Sequence, residues 1–589
     1  MKFRIKLLSN LRQRFRKEYL GELIQKQNDN RVREPRVGEM VLIGDDNKKR
    51  LSWPIAKIIE LIPGRDGEIR TVRLKTQHGT VIRPVQCIFP LEVQAIANND
   101  KELKEESNSV KCTKPENVLN TNDIISKLYF LPKTFIFLEL CYFAKMTKIF
   151  NYGKSFLLWY AHDFITFRLQ ELQAITRMFS INFEWIEEPS CKDPYFLINV
   201  SSPSDIHKIM SRTVLIKSAY ELWAKSKTIP ELHTHLGSVP KNFIEPYIRK
   251  DVSFRIMIES FGKKMPLEYK VDRIDELAFL GFEGPIKLNN PDHSFVLMEY
   301  YGTDRNFAPE SPYNVFFGRW IADGQRYVCQ KINLKTRKFI GNTTMDPLLS
   351  LVMANMAEIK SGDIVLDPFV GTGGLLVAAA HFGGYVLGTD IDYLMLHGKD
   401  KSSRLYRKRR APGECILTNM KQYGYESRYL DVIVSDAALP LWRCHSFFDA
   451  IITDPPYGIR ESTERIGSEK DYKIPEHLAL DHIPSKVSYS LQQIIEDLLD
   501  FSSIYLKLHG RLVFWMPCFN ADFDKKQLPQ HPCLELLSYC KQALSCHSSR
   551  YLITMEKIKE NVDPSEKGYV PEAILHFRKK YFQQRKKEL

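Results

Sequence analysis

The hydrophobic pattern changes four times along the chain. Residues 1–34 read as a basic helix. From Val37 the apolar positions come in short β-branched runs, VGEMVLIGDD, WPIAKIIELIPG, EIRTVRLKTQHG and TVIRPVQCIFPLE, cut by Gly, Pro, Asn and Asp. That spacing predicts a small antiparallel barrel of about five strands. Residues 96–128 are polar without apolar periodicity and read as a linker. After Met146 a strand-like FLLWYA is followed by Phe164, Leu169, Leu172 and Ile175, spaced for one helix face. Alternating signals continue through YFLINV, a helix near Ile206–Arg212, TVLIKSAYELWA and FRIMIESFG, predicting an α+β region.

From about Val315 the texture becomes that of a doubly wound α/β domain. DIVLDPF, YVLGTD, LDVIVSDA, DAIITDPPYG and RLVFWMP are apolar strands with little alternation, as in a parallel sheet covered on both faces. Helical stretches at Leu375–His381 and Leu491–Leu506 separate them. The expected domains are 1–95 (helix plus small barrel), 96–145 (linker), 146–314 (α+β), 315–560 (Rossmann-like) and 561–589 (basic tail).

Charge and cysteine content refine this picture. The net charge of +13 is concentrated at the ends: residues 1–100 contribute +8 and residues 576–589 contribute +5, leaving 101–575 neutral. The basic balance is therefore weak evidence that the central body binds nucleic acid. Eleven cysteines contain no C-x-x-C pair, which fits reduced structural thiols and argues against a zinc site in this chain. No apolar run reaches the roughly 18 residues of a membrane helix, and the basic start is too briefly apolar for a secretory signal. A cytoplasmic protein is expected.

Two constellations carry chemistry. In Asp367-Pro-Phe369-Val-Gly371-Thr-Gly373-Gly374 a strand ends on an acid and a glycine-rich turn opens a helix, so that backbone can approach a ligand closely. Asp390 ends the next strand, where an acid hydrogen-bonds ribose hydroxyls. An acid at the start of the loop suits a cationic, amine-bearing ligand such as S-adenosylmethionine better than a nicotinamide. The second constellation is Asp454-Pro455-Pro456-Tyr457, also at a strand end. An exocyclic amine conjugated with its base is a poor nucleophile. The Asp454 carboxylate and the Pro455 carbonyl accept its N–H groups and so localise its lone pair. The prolines stiffen the turn, and Tyr457 offers a face for a flipped base. On this reading Asp454→Ala lowers turnover by at least about 100-fold while leaving cofactor binding nearly intact, and Tyr457→Phe is largely tolerated.

Other residues leave alternatives open. Asp436 either accepts the cofactor's adenine amine or is a solvated strand-end acid. Asp346 either caps a helix or touches the cofactor's amino-acid end. His233 and His235 resemble metal ligands but lack a supporting cluster and read as structural. Lys401, Arg404, Arg407, Lys408, Arg409 and Arg410 form either a solvated face or a phosphate contact.

RKFIGNTTMD, DPFVGTGGLL, GTDIDY, VSDA, DAIITDPPYGIRE and HPCLEL…RYLITMEK together closely resemble the eukaryotic tRNA (guanine-10-N2)-methyltransferase family, from about Met146 to Lys559. The resemblance implies a class I methyltransferase domain preceded by a ferredoxin-like and THUMP RNA-binding region. It implies S-adenosylmethionine as cofactor, N2 of guanosine 10 in tRNA as target, and a heterodimer with a small zinc-binding activator subunit. Carried onto this chain, Asp454, Pro455, Pro456 and Tyr457 hold the base, and Asp367, Phe369, Gly371, Gly373, Asp390, Asp436 and Asp346 hold the cofactor. Adenine-N6 or protein-glutamine methylation is the alternative chemistry. REPRVGEMVLIGDDN with the runs that follow resembles the C-terminal end of BEL/Pao retrotransposon polyproteins over about residues 15–93. Residues 1–145 are thus expected to come from a gene fusion or a gene-model error, and a nucleic-acid-binding module in residues 1–95 is the competing functional reading.

Overall fold

The computed structural model describes residues 37–38, 40–43, 55–63, 69–76, 79–84 and 88–90, and residues 152–588 apart from 305–307, 401–409, 440, 469–483, 525–527, 561–564, 572–573 and 575. They fall into two units, one within Met1–Leu131 and one within Pro132–Lys587. The first contains β1 (Met40–Ile43), β2 (Ile55–Pro63), β3 (Ile69–Thr76), β4 (Gly79–Pro84) and β5 (Ile88–Pro90) in an antiparallel sheet of order β4-β3-β2-β1-β5. Alternate residues Ala56 and Ile58 on β2 and Val72 and Leu74 on β3 join Val41 in a small core, as the period-2 pattern requires. Strand number and sense follow the expectation. A β4–β5 pairing that would close a barrel is absent among the described residues. The expected helix at 1–34 and linker at 96–128 lie outside the described residues.

The second unit begins with β6 (Ser155–Tyr160), α1 (Arg168–Met178), β7 (Phe183–Trp185), β8 (Tyr195–Val200), α2 (Pro203–Met210) and β9 (Ile216–Ser226). Their β-α-β-β-α-β succession and sheet order β9-β6-β8-β7 make a ferredoxin-like unit. Phe164 precedes the helix in a left-handed conformation, so the predicted apolar face starts one turn later, at Arg168. The sheet continues through α3 (Ile229–Gly237), α4 (Lys241–Ile248), β10 (Phe254–Phe261), α5 (Leu267–Asp275), β11 (His293–Tyr300) and β12 (Asn314–Asp323), with the order β10-β11-β12 joined to β9. Here the expected boundary at 314/315 is corrected. VFFGRWIA is an apolar run that suits either sheet, but β12 pairs with β9 and β11 and belongs to the first one.

After α6 (Arg326–Lys331) and α7 (Pro347–Met356) come β13 (Ile364–Asp367), α8 (Gly374–His381), β14 (Tyr385–Asp390), α9 (Tyr393–Leu396), α10 (Ile416–Tyr423), β15 (Tyr429–Val434) and β16 (Phe448–Thr453). The short hairpin β17 (Glu464–Ile466) and β18 (Lys486–Ser488) precedes α11 (Leu491–Tyr505), β19 (Leu506–Phe519), β20 (Leu534–Ala543), β21 (Ser548–Lys557) and α12 (Phe577–Glu588). The sheet order is β15-β14-β13-β16-β19-β21-β20, parallel from β15 to β19, with β21 antiparallel to both neighbours. Counted within the domain this is 3-2-1-4-5-7-6, the class I methyltransferase arrangement. The order reverses between β13 and β16, and such a switch point opens a ligand crevice at the carboxyl ends of the strands. The expected end at 560 is also corrected: Val570, Ile574 and Phe577 are buried against α11 and β19 residues, and Lys580 pairs with Asp522 at 2.6 Å.

The two sheets of this unit share one core. Phe156, Ile175 and Ile209 from the ferredoxin-like part cluster with Leu349, Val352 and Trp515 from the catalytic part. A buried polar knot fixes the same junction. The Glu171 carboxylate accepts from the Thr213 hydroxyl (2.7 Å), the Val214 and Leu215 amides (3.0 and 3.1 Å) and Asn355 Nδ2 (2.8 Å). Arg212 donates to Asn355 Oδ1 at 3.1 Å and stacks 3.7 Å over the Phe382 ring. Among the described residues no helix is long and apolar enough to cross a membrane.

Candidate active site

Parallel pairing of Val365 with Ala450 and Leu366 with Ile451 brings the ends of β13 and β16 side by side. Asp367 and Thr453 are the last residues of those strands. The Thr453 hydroxyl donates to Asp367 Oδ1 at 2.7 Å, and the Phe369 amide donates to the same oxygen at 3.1 Å. Burial pushes the Asp367 carboxyl up to about 7, with like charge from Asp390 and Asp454 adding to the effect.

The loop after Asp367 is shaped by two glycines of different purpose. Gly373 has φ +75, and a Cβ there would lie 2.7 Å from Ile416 Cγ2. Glycine is therefore required for close packing where α8 begins. Gly371 has φ +50, and a Cβ there would enter open space, so its backbone is free to meet a ligand. The Gly371 amide donates to Asp390 Oδ2 at 2.9 Å, and the Asp392 amide to Oδ1 at 2.9 Å. The two amides leave the Asp390 carboxylate with acceptor capacity at the end of β14, and burial raises its pKa.

Beside this loop an open cleft is walled by Phe369, Leu439, Trp442 and Phe501, with Asp436 in its lining. Asp436 is only 3% exposed, which removes the solvated alternative. Its carboxylate is aimed by the Ala438 amide (2.9 Å) and the Ile466 amide (2.6 Å). Flat apolar walls and one oriented carboxylate acceptor suit an aminated aromatic ring, with the glycine loop and Asp390 alongside for a ribose. The residues present therefore fit S-adenosylmethionine. Asp346 follows the capping alternative: its Oδ1 accepts from the Leu348 and Leu349 amides (2.9 and 3.3 Å) at the start of α7.

The Asp454 carboxylate is held from both sides. Tyr457 donates its hydroxyl to Oδ1, and Arg550 Nη1 donates to Oδ2 at 3.1 Å. Burial raises the Asp454 pKa while Arg550 and Tyr457 pull it down. Pro455 is buried, and the Gly458 carbonyl accepts from Arg578 Nε of α12 at 2.7 Å. The neighbouring loops are tied in: Thr343 donates to Glu461 at 2.9 Å, and the Thr344 and Thr372 hydroxyls are 2.8 Å apart.

Remaining candidates lie apart from this chemistry. His235 Nδ1 is 2.8 Å from the Ser226 hydroxyl, and His233 is 3.9 Å from Glu276. Arg410 has only 2% of its side chain exposed, ion-paired with Asp400 (Nη2–Oδ2 2.7 Å) and stacked on Phe339, which is not the exposed charge a phosphate contact requires. The other five basic residues of that run lie outside the described residues. Sequence reasoning passed over Thr453, Trp515 and Arg550. Arg550 opens the quoted RYLITMEK segment, but only the antiparallel pairing of β21 with β19 brings it to the site.

Residues 154–326 match a family model described as the Tmrp11 THUMP N-terminal domain, and residues 335–473 match one described as the RMKL-like methyltransferase domain. Residues 3–91 match a family of unknown function. TrmN from Thermus thermophilus, a solved structure, aligns over 69% of this chain and 100% of its own length at 16% identity and a TM-score of 0.34. The protein named tRNA (guanine(10)-N(2))-methyltransferase TRMT11 is 46% identical in Rattus norvegicus, over 72% of this chain and 94% of its own length. The Homo sapiens protein of that name is 46% identical over 72% and 95%, and the Dictyostelium discoideum one 36% over 69% and 83%. With such identity across nearly the full length of these relatives, and a class I sheet that brings Asp367 and Asp454 to one edge, the chain belongs to the TRMT11 family of tRNA methyltransferases.

Proposed function

We propose that this chain methylates N2 of guanosine 10 in tRNA with S-adenosylmethionine. The observation that carries the reading is the hydrogen bond between Thr453 and Asp367, which joins the strand presenting Asp454 to the strand presenting the cofactor loop. Asp367, Phe369, Gly371, Gly373, Asp390 and Asp436 would hold the cofactor, with Asp346 stabilising the adjacent helix start. When bound, the cofactor supplies an electrophilic methyl group. Asp454 and the Pro455 carbonyl accept the N–H groups of the target amine and turn its lone pair outward. Two lone pairs of Asp454 serve Tyr457 and Arg550, which leaves two for the base. The raised pKa of Asp454 suits it to take the proton that the amine releases. The ring of Tyr457 supports the extruded base.

The shared core between the ferredoxin-like and catalytic parts supports a fixed spacing between an RNA-gripping region and the catalytic edge, so that tRNA is read as a shape. A small zinc-binding activator subunit is the proposed partner. Strand β15 supports it: it is an edge strand with Leu430 and Val434 exposed, a surface that a partner would cover. The eight described cysteines are all free thiols, in keeping with a cytoplasmic site of action. Residues 15–93 are proposed to derive from a mobile-element polyprotein, on the strength of their sequence resemblance. The test is methyl transfer from labelled S-adenosylmethionine to unmodified tRNA, with and without the activator, followed by digestion to nucleosides. Label in N2-methylguanosine supports the reading; label in N6-methyladenosine, or in protein alone, rejects it.

A further inference from the structure

Beside Asp454 the described machinery leaves a largely enclosed cation, Arg550, without a role. Arg550 lies near the start of β21, which runs antiparallel to its neighbours and so delivers its first residues to the carboxyl edge of the parallel strands. Its guanidinium is pinned on several sides. It stacks 4.1 Å from the Trp515 ring, donates from Nε to Gln542 at 2.7 Å, and reaches Met345 Sδ at 3.5 Å. A plane so restrained has one orientation to offer Asp454, and it spends one Nη1 bond there. Three of its five N–H groups are thereby used.

We propose that Arg550 is the positioning residue of the methyl-transfer site, holding Asp454 as an aimed, charged acceptor and completing with it a donor–acceptor pattern that selects guanine. The inference rests on the reading of guanosine as target. The edge of guanine presents two adjacent donors, N1–H and the N2 amine, beside the O6 acceptor. A carboxylate with free lone pairs next to a guanidinium with free N–H groups is the complement of that edge. Adenine places an acceptor, N1, beside its amine, and it meets the carboxylate oxygen with repulsion. Selection of this kind, through groups left unpaired by the wrong base, is steeper than selection by shape. The titratable groups facing Asp454 are Arg550, the neutral Tyr457 hydroxyl and the acidic Asp367. Among the described residues Arg550 is the cation that pairs with Asp454, and without it the carboxylate loses its counter-charge in a buried setting.

The experiment uses the full chain with its activator and compares Arg550→Met and Arg550→Lys with the parent enzyme. Cofactor affinity by calorimetry stays within about 3-fold, because Arg550 does not touch the cofactor loop. For Arg550→Met, kcat at neutral pH falls about 100-fold, the scale of a lost positioning group. The acidic limb of the kcat profile moves up by a pH unit or more, so that part of the loss is recovered in alkali. Arg550→Lys keeps the charge but not the plane, so its pH profile stays near that of the parent while kcat is intermediate. In an Asp454→Asn background, where there is no charge to hold, Arg550→Met costs less than about 5-fold more. Unchanged kcat and profile in Arg550→Met overturn the proposal, as does full additivity with Asp454→Asn. Should Arg550→Met fail to bind cofactor through misfolding, Arg550→Lys decides: a profile displaced as far as an uncharged variant requires overturns it. If the parent enzyme methylates some other amine, the guanosine reading fails by its product, while the pH profiles still report on Arg550.

Discussion

Thr453 and Asp367 end neighbouring parallel strands, and the hydroxyl of one donates to the carboxyl of the other at 2.7 Å. The bond ties the base-holding turn to the cofactor loop, so that a shift of either strand end is felt by both.

Asp367 makes cofactor binding pH-dependent. Its folded-state pKa of about 7 lies above the ordinary carboxylate value, so the folded protein holds an extra proton between about pH 4 and pH 7. That stabilisation is present below the unfolded pKa and is lost as pH rises through about 7. A cationic cofactor favours the ionised form. Affinity for S-adenosylmethionine is therefore expected to tighten with pH by up to about 10-fold per unit below pH 7 and then to level off. Calorimetry across this range checks it. Asp367→Asn should bind weakly with a flat profile, and an unaltered slope in that variant would assign the titration elsewhere.

The two loop glycines should fail in different ways. Gly373→Ala combines a positive φ with a 2.7 Å approach to Ile416, so it should cost about 2 kcal/mol or more of stability. Gly371→Ala meets no atom and should cost about 1 kcal/mol in backbone strain, yet lower cofactor affinity about 10-fold or more by filling the ligand's space. Thermal melts with and without S-adenosylmethionine separate the two. Equal stability losses with equal affinities would contradict the assignment of the cradle to Gly371.

Tyr457 has a hydroxyl with a partner. The sequence alone suggested that Tyr457→Phe is tolerated, because stacking was the only role visible. The bond to Asp454 changes that expectation to a loss of about 10-fold in kcat, the scale of a hydrogen bond to a charged group. Asp454→Ala should lose at least about 100-fold with cofactor affinity nearly intact. Steady-state kinetics and calorimetry on both variants provide the check, and a fully active Phe variant would return Tyr457 to stacking alone.

The junction of the two sheets is predicted to govern stability. Glu171→Ala strands the Thr213 hydroxyl, two amides and Asn355 in a buried setting and leaves Arg212 with less counter-charge. A loss of about 3 kcal/mol or more in urea unfolding is expected. A loss below about 1 kcal/mol would show the knot to be dispensable.

Much of this architecture is legible in the sequence. Strands ending at Asp367, Asp390 and Thr453 declared themselves as apolar runs closed by an acid or a turn, because both faces of a parallel sheet are buried. Local chemistry also exposed the glycine loop and Asp454-Pro455-Pro456-Tyr457. The misread boundaries were those set by partners distant in sequence. β12 looks like any buried strand until its pairing with β9 is known. The segment after residue 560 reads as a basic tail because its charges outnumber Val570, Ile574 and Phe577, yet those three are buried. Arg550 escaped for the same reason: it meets Asp454 across 96 positions of sequence, through a β-hairpin. Asp346 stayed undecided because a cap and a ligand contact ask for the same residue type.

The most direct test changes one functional group of the substrate. Full-length enzyme with its activator is given two transcripts of the same tRNA, one with guanosine at position 10 and one with inosine, which lacks the 2-amino group and is otherwise the same base. Labelled methyl groups should enter the guanosine transcript as N2-methylguanosine and be absent from the inosine transcript. Equal labelling of both would place the methyl group on another atom and contradict the account of Asp454 as the holder of an exocyclic amine.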